Sequence, residues 1–185
     1  MNEIRKGNAP LVLKDPELFA AYRLLDAEIM MRKERDVKPI LSDALPRLLL
    51  DTRNPDLVSR YVLDLIEGFS YEKKFSKIVD IADHYLEPDR LGLIKSFFER
   101  KGRLVSYEKF VLTVLKKRAD AYFWDKKYDH ALIALDELKG RLSGDFAQLL
   151  GAQIDITYGE IYLSRGEFDE AKKHYTEAKN VLQEI

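Results

Sequence analysis

Apolar residues recur along this chain every three to four positions, and the stripes they make are the first thing the sequence shows. Leu18, Tyr22, Leu25 and Ile29 form one. Leu57, Tyr61, Leu65 and Phe69 form a second, and Phe75, Ile78, Val79, Ala82 and Leu86 a third. Val111, Leu115, Ala119 and Tyr122 line a longer segment, and Ala171, Tyr175, Ala178 and Leu182 the last. Such spacing puts the apolar side chains on one face of an α-helix. No useful length of chain alternates with period two, so no sheet is expected. The pattern predicts about nine helices, near 15–34, 37–50, 55–69, 71–86, 88–101, 106–124, 127–141, 145–164 and 167–183.

The residues between the stripes agree. Asp15-Pro16-Glu17, Asn54-Pro55-Asp56 and Glu87-Pro88-Asp89 place proline at the start of a helix. There its missing N–H costs nothing, and the acidic neighbours suit the positive end of the helix dipole. Asp15, Asn54, Ser70 and Ser106 are candidate caps. Gly102, Gly140, Gly144 and Gly166 fall near expected helix ends, where glycine takes up the left-handed conformation. Pro46 lies inside the second helix and should kink or split it.

Two stretches of the second half superpose at an offset of 40 residues. Ala119 matches Gly159, Tyr122 matches Tyr162, Tyr128 matches Phe168, Asp129 matches Asp169 and Ala131 matches Ala171. Small residues at the first and last pairs allow two helices to approach closely, with aromatics filling the space beside them. Tyr158-Gly159-x-x-Tyr162 followed by Gly166-x-Phe168-x-x-Ala171-x-x-x-Tyr175-x-x-Ala178 resembles the tetratricopeptide repeat.

That resemblance, clearest over residues 104–183, implies an all-α, right-handed superhelical array of helical hairpins, an α-solenoid. The implied domain runs over 15–185, behind a flexible arm at 1–14. It comprises degenerate hairpins at 15–86, a spacer helix at 88–101, and repeat-like hairpins at 104–141 and 145–183. The period exceeds the usual length of about 34. In this it is similar to the tetratricopeptide-like arms of bacterial and archaeal signalling regulators and ATP-dependent transcription activators.

Composition narrows the functions available. Of 185 residues 46% are hydrophobic and 34% charged, which suits amphipathic helices and excludes a disordered tail. The absence of cysteine removes disulfides, thiolate metal sites and cysteine nucleophiles. No stretch of sequence is apolar enough to span a bilayer, and Ala9-Pro10-Leu11-Val12-Leu13 is too short for a signal-peptide core, so no membrane role is expected and a cytoplasmic location is the default. The net charge of −1 hides a basic middle: residues 90–127 carry +7 between flanks of −3 and −5.

No fingerprint for a nucleotide, a phosphate loop or a nucleophile elbow occurs, so no enzyme activity and no cofactor are expected. The three histidines, His84, His130 and His174, fall on three different hairpins, and no His-x-x-x-His pair accompanies them, so no metal site is expected.

The resemblance implies a concave face lined by the first helix of each hairpin. Thr113, Lys116, Lys117 and Asp120 would lie on it, and Gln153, Thr157 and Glu160 one repeat later. Lysines there would favour a partner bearing carboxylates or phosphates. Lys95, Arg100, Lys101, Arg103, Arg118, Lys126 and Lys127 make up a basic patch around them.

The expected function is a scaffold for protein–protein interaction, holding a peptide or protein in a helical groove, an acidic one where those lysines contact it. One alternative is a sensor or dimerisation arm of a transcription or signalling regulator, which allows a homodimer. A second is nucleic-acid binding through residues 90–127, which lacks a recognition-helix or stacking motif and ranks below the others.

Overall fold

A computed structural model describes residues 56–143 and 147–184. The expected arm at 1–14, the helices at 15–34 and 37–50, and the kink at Pro46 lie outside them. Among the described residues the chain forms seven helices and no strand. They are α1 (Asp56–Tyr71), α2 (Phe75–Leu86), α3 (Pro88–Arg100), α4 (Leu104–Trp124), α5 (Tyr128–Gly140), α6 (Ala147–Arg165) and α7 (Phe168–Glu184). The all-α class expected from periodicity is what these residues show.

Four of the connections use one device. Lys73, Gly102, Lys126 and Gly166 each take a left-handed conformation, with φ of 54°, 67°, 60° and 78°. In each turn that residue's N–H donates to the carbonyl three positions back, and the next N–H donates to the carbonyl five back. For the turn at Gly166 these are Gly166 N to Leu163 O at 3.0 Å and Glu167 N to Tyr162 O at 2.9 Å. This is the Schellman closure, which satisfies carbonyls the ending helix leaves without partners. The residue after the left-handed one (Lys74, Arg103, Lys127 or Glu167) then supplies the carbonyl that starts the following helix.

The device explains two departures from the sequence reading. Ser70 does not cap a helix beginning at 71; it lies in the last turn of α1, and α2 starts at Phe75. Ser106 likewise falls inside α4, which starts at Leu104 directly after the turn at Gly102. Both serines have the residue type of a cap, but each lies inside a helix, not in front of one. Pro88 does open α3 as expected, with Asp89 in its first turn.

The chain divides into two compact units. The described residues of the first are 56–68 and His84–Glu108. Its core holds Val62, Ile66, Tyr85, Leu91, Ile94, Phe97 and Phe98, with the Phe98 ring 6.0 Å from that of Tyr107. The second unit comprises Phe69–Asp83 and the described residues from Lys109 onward. It buries Ile78, Ile81, Val114, Leu115, Leu135, Leu138, Ile154 and Ile161. Each such side chain contributes about 1.5–3 kcal/mol when fully buried. Within this unit α6 packs along α7 and against α5.

The 40-residue offset has a structural counterpart in the second unit. Ala119 and Gly159 are both buried, as are Ala131 and Ala171. Tyr122 and Tyr162 supply equivalent carbonyls to their turns, and Tyr128 and Phe168 each open the following helix. Gly159 gives the Tyr175 ring its place, because a Cβ there would lie 2.7 Å from Cε1 of that ring and would force it to move.

Candidate functional site

On α4 the packing leaves one face partly open. Phe110, Val111, Leu112, Val114, Leu115, Ala119 and Ala121 are buried around more than half the helix circumference. Thr113, Lys116, Lys117 and Asp120 share the remaining stripe and are half-buried. The Thr113 hydroxyl donates to the Lys109 carbonyl at 2.7 Å. Lys116 donates to the Asp120 carboxylate one turn on. Lys117 forms no ion pair with any described residue.

On α6 the corresponding stripe is Leu149, Gln153, Ile156, Glu160 and Leu163, spaced alternately four and three residues apart. Gln153 and Glu160 are exposed, Ile156 is half-buried, and the two leucines are 52% and 49% exposed. Thr157, expected beside them, is buried, and its hydroxyl donates to the Gln153 carbonyl at 3.0 Å. The two stripes are related by the 40-residue offset: Thr113 corresponds to Gln153, Lys116 to Ile156 and Asp120 to Glu160. Leu149 and Leu163 went unread in the sequence. The signal that finds them is their period with Gln153 and Glu160 rather than their hydrophobicity.

The basic patch falls in both units. In the first, Lys95 pairs with Glu99 at 3.8 Å, and Arg100, Lys101 and Arg103 are exposed where α3 gives way to α4. In the second, Arg118 serves the fold. Its guanidinium donates to Asp83 Oδ1 at 3.1 Å and to Glu137, joining α2, α4 and α5. Burial opposes its charge, but those two carboxylates more than offset the loss and hold its pKa above the usual value. Lys126 is the left-handed residue of its turn, and Lys127 pairs with Asp125 at 2.7 Å, which raises its pKa.

A second cluster lies where α5, α6 and α7 meet. Asp155, buried on α6, accepts at a single oxygen from Lys139 Nζ at 3.0 Å, with His174 Nδ1 3.1 Å from the same oxygen. Glu177 Oε2 is 3.8 Å from the same ring nitrogen. The imidazole lies nearly parallel to two tyrosine rings, 4.7 Å from Tyr158 and 5.5 Å from Tyr162. Tyr158 in turn donates its hydroxyl to Asp136. Burial, and then that carboxylate, push the tyrosine pKa well above its usual value. His130 is exposed with its ring 5.3 Å from Tyr122, and His84 is buried against Tyr85.

No family model, curated protein or solved structure shows significant similarity to this chain. No described helix is long and apolar enough to cross a membrane.

Proposed function

We propose that the chain is a protein-interaction module of tetratricopeptide-like construction that holds a peptide or protein partner along the open stripes of α4 and α6. The observation that carries this reading is the α6 stripe, where two exposed leucines flank Gln153 and Glu160 at helical spacing. Apolar side chains that face water on a regular row, among polar groups able to fix register, suit a partner surface of mixed character. On α4 the half-buried Lys117 supplies a cation for a carboxylate or phosphate of the same partner. The cytoplasmic location, and the solenoid that would extend these two repeats into a groove, belong to the same proposal.

A photo-crosslinking side chain in place of Gln153 tests it, with one in place of exposed Lys172 on α7 as control. The expected result is one dominant protein adduct from position 153 that survives nuclease and is absent from position 172. Equal labelling at both positions, or an adduct lost with nuclease, would contradict the reading.

A further inference from the structure

The cluster around Asp155 contains a donor set that the interaction reading does not use. Asp155, His174 and Glu177 each offer one ligand atom, and the three atoms lie within 4.8 Å of one another. We propose that these three side chains bind a divalent transition-metal ion of the zinc type, and that Lys139 competes with it for the Asp155 carboxylate.

Three features support a built site over a chance gathering of charge. First, the donor set is one imidazole and two carboxylates, a combination that suits zinc, cobalt and nickel. Second, two of the donors are held in place. The Asp155 side chain is 9% exposed and that of His174 13%. The His174 ring plane is fixed against Tyr158 and Tyr162, with its Nδ1 directed at the carboxylates. Third, the spacing is close to what a small ion needs. Donors around tetrahedral zinc sit about 3.4 Å apart, against 3.1 Å for Asp155 to His174 and 3.8 Å for His174 to Glu177. Glu177, 45% exposed, has the freedom to close the remaining gap. Its exposed side borders solvent, from which a water would complete the coordination.

Lys139 makes the proposal discriminating. Its ammonium lies 3.0 Å from the same Asp155 oxygen that faces His174, so it neutralises the charge a metal would use. The side chain is 46% exposed, and moving it into water costs little. A metal ion at Asp155 must displace it. Removing this competitor should therefore strengthen binding, an effect that incidental surface chelation would not show.

The test is calorimetric titration of the full chain, freed of metal by chelator, with zinc chloride, supported by the visible absorption of a cobalt(II) adduct. The expected result is a single saturable site whose affinity falls at least about tenfold in His174→Phe and in Glu177→Gln. The phenylalanine keeps the ring stack and Glu177 is half exposed, and circular dichroism checks that each variant folds. Lys139→Gln should tighten binding several-fold, and zinc should raise the melting temperature of the parent chain. Absence of saturable heat, equal affinity in His174→Phe, or indifference to Lys139→Gln would each overturn the proposal, leaving the cluster as a structural polar network.

Discussion

Lys126 stands in a left-handed conformation where the second copy of the repeat has Gly166. A side chain at positive φ crowds its own carbonyl, and glycine escapes this because it has no Cβ. Lys126→Gly should therefore raise stability by about 0.5–1 kcal/mol, and Gly166→Ala should lower it by a similar amount. Urea titration of both variants checks the pair, and a loss of stability in Lys126→Gly would contradict the turn geometry. At Gly159 the constraint is steric. Alanine brings about 1 kcal/mol of helix propensity, yet its Cβ would meet the Tyr175 ring at 2.7–2.9 Å. The expected outcome is net destabilisation in the parent chain. In a Tyr175→Ala background the same change becomes stabilising, and a double-mutant cycle reads that reversal directly.

Arg118 shows how elements are held to one another. It joins α2, α4 and α5 through two carboxylates, with its own side chain 15% exposed and those of Asp83 and Glu137 53% and 39%. Deleting one partner of a well-buried ion pair costs about 3–5 kcal/mol, and exposed pairs are worth far less. Arg118→Ala should thus cost about 1–2 kcal/mol in thermal or urea unfolding. Charge reversals meant to probe partner binding should leave this residue alone.

What the sequence disclosed differs from element to element. The offset-40 repeat was legible because small residues and aromatics mark close helix contacts by type alone. The start of α3 was legible because proline at a first turn has few other uses. The start of α2 was not, since a left-handed lysine at 73 looks like any other surface lysine. The open face of α6 was half legible. The repeat resemblance places Gln153 and Glu160 on it, but apolar residues occur on every side of that helix, so hydrophobicity alone does not separate Leu149 and Leu163 from the core. The Asp155 cluster was hidden for another reason. His174 and Glu177 lie one turn apart on α7, but Asp155 is 19 residues from His174 and Lys139 is 16 from Asp155, and only the packing of three helices brings them together.

Each compact unit buries a tyrosine, and this couples the folding of both units to alkaline pH. Burial raises the pKa of Tyr85 in the first unit, with Arg90 pulling the other way, and that of Tyr158 in the second. In the unfolded chain both would lose their protons near pH 10, as free tyrosine does. The folded chain keeps them to higher pH. The stability they provide is therefore fully present below about pH 10 and is lost as pH rises above it, because only the unfolded state releases the protons. Denaturant titrations above that pH should show stability falling, with Tyr158→Phe flattening the slope by roughly one proton. An unchanged slope would show that Tyr158 is not protected as described.

The proposed work of the molecule is to hold a partner along the stripes of α4 and α6. The most direct measurement is affinity capture from native lysate, in the presence of nuclease, with the parent chain and with Leu149→Glu/Leu163→Glu as baits. Both leucines are about half exposed, so the variant should fold as the parent does, which circular dichroism confirms. A Lys172→Glu/Lys173→Glu bait, altered on the exposed side of α7, controls for charge. The expected result is a protein partner bound by the parent and the α7 variant and lost by the leucine variant. A partner retained by the leucine variant, or lost equally by the α7 variant, would contradict it.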